Sequence, residues 1–210
     1  MGTLSYSRKL AVDAALRNGY LRYLQDFGWK AIERPVLRSI CLYKETEDGH
    51  LLIAYQGTDG TLRDWLRNLV FVRRNGEHTG FRNEVSVTLN ADLRKKIRDA
   101  KYIVVAGFSQ GGGCAQILHR LLLRSGKGCE IITCGSPRAL SRSVARRMQF
   151  SYHLRYVNGN DMVTKVPLGI MGFKHYGTLY PVNTGHNPIQ SHYPARYREA
   201  VIEQKESENE

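Results

Sequence analysis

Apolar and polar residues alternate along this chain with two periods, and the switches between them mark the elements. Over residues 6–27, Val12, Leu16, Tyr20, Tyr23, Leu24 and Phe27 recur at three- and four-residue steps. That spacing predicts one long amphipathic helix, which Gly28 can end. Residues 36–43 and 51–55 read as two strands joined through Thr46-Glu47-Asp48-Gly49, whose Asp-Gly pair is a strong hairpin signal. The second strand runs out into Gln56-Gly57-Thr58-Asp59-Gly60. A glycine-bearing loop at that end can leave backbone N–H groups aimed at a ligand. Leu62, Trp65, Leu66 and Leu69 then fall at i, i+3, i+4 and i+7, opposite Arg63, Asp64 and Arg67. They predict a short amphipathic helix, either packed permanently on the core or serving as a movable cover.

The later part of the chain repeats this alternation. After His78-Thr79-Gly80-Phe81 comes a helix with Leu89, Leu93 and Ile97 inward and Arg94, Lys95, Lys96 and Arg98 outward. Residues 102–106 form a buried apolar strand. Cys114, Ile117, Leu118, Leu121 and Leu122 mark one face of the helix that follows. A strand over 129–134, a basic helix over 141–149 and a strand over 153–157 complete the series. Strands and helices alternating at this length predict an α/β domain with a mainly parallel sheet over residues 1–203. Residues 204–210 read as an acidic, disordered tail.

The richest chemistry lies between the strand at 102–106 and its helix, in Gly107-Phe108-Ser109-Gln110-Gly111. Strand, tight turn and helix are the setting in which Gly-x-Ser-x-Gly becomes a nucleophile elbow, with the serine hydroxyl exposed at the carboxyl end of the sheet. The flanking glycines are expected where a Cβ would collide with the crossing strand or helix. A serine nucleophile needs a base, and the base needs an orienting group. Asp161, in the loop after the strand at 153–157, is the single acid between Glu130 and Glu199. Its competing role is a capping or Asx-turn carboxylate. Among seven histidines, position alone favours His192, before a helix that Pro194 can open, with His186 as the rival. His175 looks like part of a strand or its approach.

Composition changes the picture in three respects. The net charge of +12 understates the body, because residues 199–210 hold five glutamates and one lysine; residues 1–198 carry thirty basic against fourteen acidic side chains. Such a body can meet an anionic membrane surface as a peripheral contact, whereas its basic residues form no recognisable nucleic-acid module. Cys41, Cys114, Cys129 and Cys134 have no metal-ligand spacing, so they are expected as buried thiols in a reducing compartment, with no metal and no cofactor. The first residues show no apolar core behind their charges and no stretch is long enough to span a membrane, which points to a cytoplasmic setting.

Taken together, the motifs resemble those of the class 3 lipases, the fungal-lipase-like branch of the α/β-hydrolase fold. Gln56-Gly-Thr with Asp64-Trp-Leu-Arg-Asn-Leu, His78-x-Gly-Phe, Gly107-Phe-Ser-Gln-Gly, Cys134-Gly-Ser-Pro-Arg, Asn158-x-x-Asp161-x-Val163 with Pro167, His175-x-Gly and His192-Tyr occur in that family's order over roughly 50–195. The resemblance implies Ser109 as nucleophile, Asp161 as orienting acid and His192 as general base, with His175 as a structural histidine. It further implies an oxyanion hole from the backbone N–H groups of Thr58 and Gln110, and a lid over 58–72 carrying Leu62, Trp65, Leu66 and Leu69. The implied activity is hydrolysis of acyl esters of lipids through an acyl-enzyme, with phospholipids at anionic membranes as one substrate class. An inactive lipase-like binding module, or a thioesterase or peptidase with the same triad, is the alternative. Gln56 departs from the family's usual arginine, three glycines follow the elbow, and the chain is short for the family.

Overall fold

The computed structural model describes residues 5–34, 39–58, 72–185 and 187–203. The proposed lid helix, His186 and the acidic tail lie outside the described residues. A seven-stranded sheet organises what is described. In chain order its strands are β1 (Lys30–Arg34), β2 (Ser39–Glu45), β3 (His50–Tyr55), β6 (Tyr102–Phe108), β7 (Cys129–Cys134), β9 (His153–Asn158) and β11 (Thr178–Val182), and they lie side by side in that order. β1, β2 and β3 pair antiparallel, while β3, β6, β7, β9 and β11 are parallel. The Thr46–Gly49 turn makes the predicted hairpin, with Gly49 at φ +82°.

Because successive side chains of a strand face opposite ways, each parallel strand feeds two cores. Leu51, Ile53, Ile103, Val105 and Ile131 point to the face covered by α3 (Thr79–Thr88), α4 (Ala91–Asp99) and the elbow helix α5 (Gln110–Arg124). Leu52, Ala54, Val104, Ala106 and Ile132 point to the other, where α1 (Tyr6–Leu16) and the terminal α7 (Pro194–Val201) pack. This explains why the strands are apolar without alternation. All four cysteines are buried free thiols in these cores. Burial pushes Cys41 and Cys129 up to about 12 and raises Cys114 and Cys134 as well, so none is a thiolate near neutral pH.

Two helices expected to be continuous are broken. The first stops at Leu16 and resumes as α2 (Leu21–Asp26). Gly19 between them is left-handed, and the Gln56 side-chain amide donates to the carbonyls of Ala14 and Arg17, both at 2.9 Å. A continuing helix would need those acceptors for its own N–H groups. The break turns Tyr20, Tyr23 and Phe27 outward, against expectation, and leaves Leu24 as the buried anchor of α2. The second break lies at Leu89-Asn90, where the Asn90 side chain accepts from the Leu93 N–H at 2.8 Å and starts α4 anew. α3 begins inside the His78-Thr-Gly-Phe motif, with Thr79 as its first residue. The basic helix predicted over 141–149 is the shorter α6 (Arg142–Arg147).

Some elements carry no periodic signal. β1 reads Lys-Ala-Ile-Glu-Arg, an edge strand whose charged ends hide its pairing with β2. β4 (Arg73–Arg74), β5 (Glu77–His78), β8 (Leu140–Ser141) and β10 (Phe173–Lys174) form a second small sheet of two-residue strands in the order β10-β8-β5-β4. It is built from loops that leave the carboxyl ends of the main strands. Among the described residues, no helix is long and apolar enough to cross a membrane.

Candidate active site

The end of β6 is where the chain is most tightly constrained. Ser109 sits between β6 and α5 at φ 53° and ψ −126°, a conformation that L-residues rarely adopt. Such strain persists only where the surroundings over-determine it. Here a Cβ on Gly107 would overlap the carbonyl of Gly111, and one on Gly111 would overlap the carbonyls of Tyr55 and Gln56. The strand, the turn and the helix therefore cross closer than any other residue would allow. The next two glycines, which set this chain apart, extend the same close packing: Gly112 rests on Ser136 and Gly113 on the ring of Phe81.

Ser109, His192 and Asp161 lie in one buried chain of hydrogen bonds. Ser109 Oγ and His192 Nε2 are 2.8 Å apart, and His192 Nδ1 and Asp161 Oδ2 are 2.8 Å apart. With Nδ1–H donating to the carboxylate, Nε2 is left to accept from the serine hydroxyl. His192 arrives on a short 3-10 turn (Gln190–His192) directly before α7, whose first residue is Pro194. Its ring stacks on Phe108 at a centroid distance of 5.1 Å and 23° between planes.

Asp161 is fully buried and divides its oxygens between two tasks. Oδ1 accepts from the Val163 N–H at 2.9 Å, capping the 3-10 turn Met162–Lys165. Oδ2 accepts from His192 and also from the Tyr197 hydroxyl at 2.6 Å. The capping and orienting roles, set against each other in the sequence, thus coexist on one side chain. Tyr197 in turn accepts from the Asn158 N–H at 2.9 Å, and burial together with the adjacent Asp161 carboxylate holds its phenol well above the usual tyrosine range. It therefore stays a neutral O–H donor. Sequence spacing does not single out Tyr197; only the chain path of α7 under Asp161 gives it a polar partner.

Gly135, just past β7, was singled out only as part of a matching stretch. It is left-handed at φ +57°, and a Cβ there would stand 2.8 Å from Asp161 Oδ2 and 3.1 Å from His192 Cε1. The remaining expected residues fall as follows. Gln110 is the first residue of α5, so its backbone N–H belongs to the helix N-terminus. Thr58 follows Gly57, where a Cβ would lie 3.2 Å from Ser109 Cβ, so the loop at the end of β3 runs beside the serine. Gln56, in place of the family's arginine, anchors that loop to the end of α1 through its two amide bonds. His175 is held elsewhere, with Nε2 2.8 Å from the Thr164 carbonyl and its pKa lowered to about 3 by desolvation and nearby Arg155. Leu62, Trp65, Leu66, Leu69 and His186 are outside the described residues.

Known proteins match both sequence and fold. The family model for lipase (class 3) matches residues 52–171. The secreted mono- and diacylglycerol lipase 1 of Fusarium solani is 27% identical over 146 residues, which is 63% of this chain and 43% of that protein. The chain thus spans less than half the length of that curated relative. Lipase II from Rhizopus niveus superposes with a TM-score of 0.71 at 18% identity, covering 84% of this chain and 79% of that one. The mono- and diacylglycerol lipase from Aspergillus oryzae does so with a TM-score of 0.71 at 18% identity, covering 86% and 80%. At such identities the structural likeness speaks for the fold, which is that of the α/β hydrolases. With the family model extending over more than half of its length, the chain belongs to the class 3 lipase family.

Proposed function

We propose that the protein hydrolyses acyl esters of lipids, with Ser109 as nucleophile, His192 as general base and acid, and Asp161 as the orienting carboxylate. The unbroken chain of bonds from Ser109 Oγ through His192 to Asp161 carries this reading. The serine oxygen attacks the ester carbonyl carbon as its proton passes to His192 Nε2. The oxyanion that forms is held by the backbone N–H groups of Gln110 and Thr58, each such donor being worth ~3–4 kcal/mol in the transition state. His192 returns the proton to the departing alkoxide, leaving an acyl-serine. A water molecule then gives its proton to His192 and attacks, and the acid leaves as Ser109 regains its hydrogen. The Asp161 carboxylate faces the imidazolium that forms and stabilises it.

The excess of cations over the body supports phospholipid surfaces rather than neutral droplets as the working interface, and the four unpaired thiols fit a reducing, cytoplasmic compartment. The test is hydrolysis of p-nitrophenyl esters of increasing acyl length. Ser109→Ala is expected to lower kcat/KM by at least ~10³-fold with the fold intact. Full activity in Ser109→Ala overturns the assignment.

A further inference from the structure

We infer that the turn Gly169–Met171, with Leu168 before it, is the tip on which the protein docks to an anionic lipid bilayer. Leu168 is 51% exposed, Ile170 87% and Met171 40%, three large apolar side chains within four residues. An isoleucine exposed to that degree forgoes nearly all the gain of burial, and a cluster of this kind marks a contact surface.

The tip is built rather than loose. Arg138 Nη1 donates to the carbonyls of Lys165 and Pro167, the latter at 2.8 Å. Arg142 Nη2 donates to the Gly169 carbonyl and Arg73 Nη1 to that of Gly172, both at 2.8 Å. The Arg142 N–H meets the Gly172 carbonyl at 2.9 Å, and the Arg73 guanidinium lies 5.7 Å over the ring of buried Phe173. Arginines from two segments, Arg73 on one and Arg138 with Arg142 on the other, thus clamp the backbone while the apolar side chains stand outward. A tip ordered beforehand has little conformational freedom to lose on docking.

Charge identifies the occupant. Exposed Arg73 and Arg142 bond to the base of the tip, and exposed Lys165 and Lys174 flank it along the chain. Asp161, the one acid between Glu130 and Glu199, is fully buried, and Glu77 is buried between Arg82 and Arg120. Aliphatic side chains at the apex with cations behind them match the layers of a bilayer, acyl chains beneath an anionic headgroup plane. The turn begins four residues after the one that Asp161 caps ends, on the chain that leads from β9 to β11. The inference rests on the proposed lipid-ester activity for its purpose, but its test needs no turnover.

Sedimentation with vesicles of phosphatidylcholine alone, or mixed with phosphatidylglycerol, reads it directly when done in Ser109→Ala, so that lipid is never consumed. Ser109→Ala is expected to bind the mixed vesicles, more weakly in high salt and more weakly on phosphatidylcholine alone. Adding Ile170→Asp is expected to weaken binding roughly tenfold, and Lys165→Glu with Lys174→Glu to remove the preference for phosphatidylglycerol. Unchanged thermal melts show that the variants fold. Equal binding with and without Ile170→Asp overturns the inference, as does binding indifferent to phosphatidylglycerol and salt, or no vesicle binding at all. Activity that survives in Ser109→Ala would sink the catalytic assignment and leave this result standing.

Discussion

His192 and the group His119, His153 and His175 are the same residue in two kinds of enclosure. His192 meets a carboxylate at Nδ1 and a hydroxyl at Nε2. The other three lie between the elbow helix, β9 and the chain before β11, and the partners recorded for their rings are neutral: the Tyr176 hydroxyl, the Thr133 hydroxyl and the Thr164 carbonyl. His119 Nε2 and His175 Nδ1 have no hydrogen-bond partner among the described residues. Desolvation lowers His119 to about 4 and His175 to about 3, and takes His153 well below the usual range, with Arg155 adding to the effect on the last two. Burial makes an imidazole inert when nothing beside it welcomes a positive charge. A buried carboxylate reverses that, because the imidazolium formed when serine is deprotonated has a counter-charge in place.

The sharpest way to break the comparison is to remove one histidine from each group. His192→Ala is expected to lower kcat/KM on a soluble ester by roughly 10⁴-fold or more. His119→Gln is expected to leave turnover near that of the parent while costing ~1 kcal/mol of stability in a urea titration. Equal losses of activity in the two variants would erase the distinction.

A finer probe moves the carboxylate without deleting it. Gly135→Ala drives a methyl against Asp161 Oδ2 and His192 Cε1 at a left-handed position. It is expected to cost on the order of 10²-fold in kcat with KM less affected, because a displacement near 1 Å is enough. Turnover as fast as the parent's would mean that the pair tolerates loose placement.

The remaining expected effect is on stability against pH. In the unfolded chain these histidines take up protons near pH 6.5; in the native state His119 and His175 do so only near 4 and 3. Between those values the unfolded state binds more protons, so stability is full above about pH 6.5 and is lost as pH falls toward 4. Each histidine adds on the order of one kcal/mol per pH unit across that window. Urea midpoints measured between pH 7 and pH 4 should fall, and less steeply in His119→Gln. A flat profile would place the three rings in contact with water.

Much of this was legible beforehand, for reasons that differ by element. The parallel strands announce themselves because both their faces are buried, so β6 is an unbroken apolar run. The elbow is legible because strand, turn and helix follow one another directly and Gly107 is required by its contact with Gly111, four residues on. Asp161 stood out by being the one acid in a long stretch. The broken helices did not, since periodicity at 6–27 is blind to an amide arriving from Gln56, on another strand. β1 and the two-residue strands lack any period, and nothing in the spacing singles out Tyr197.

The sequence by itself determined the inner strands of the sheet, the serine turn and the short list of acids and bases, because each follows from residues near one another along the chain. Tertiary structure alone decided that His192 meets both Ser109 and Asp161, that Tyr197 and Gly135 close around the carboxylate, and that Gln56 pins the neighbouring loop. Those relations depend on where the loops at the strand ends come to rest, and separations of 31 and 83 residues leave no local pattern to read. The same holds for the arginines that clamp the backbone around Leu168–Met171, which come from two segments and meet only once the small sheet has formed.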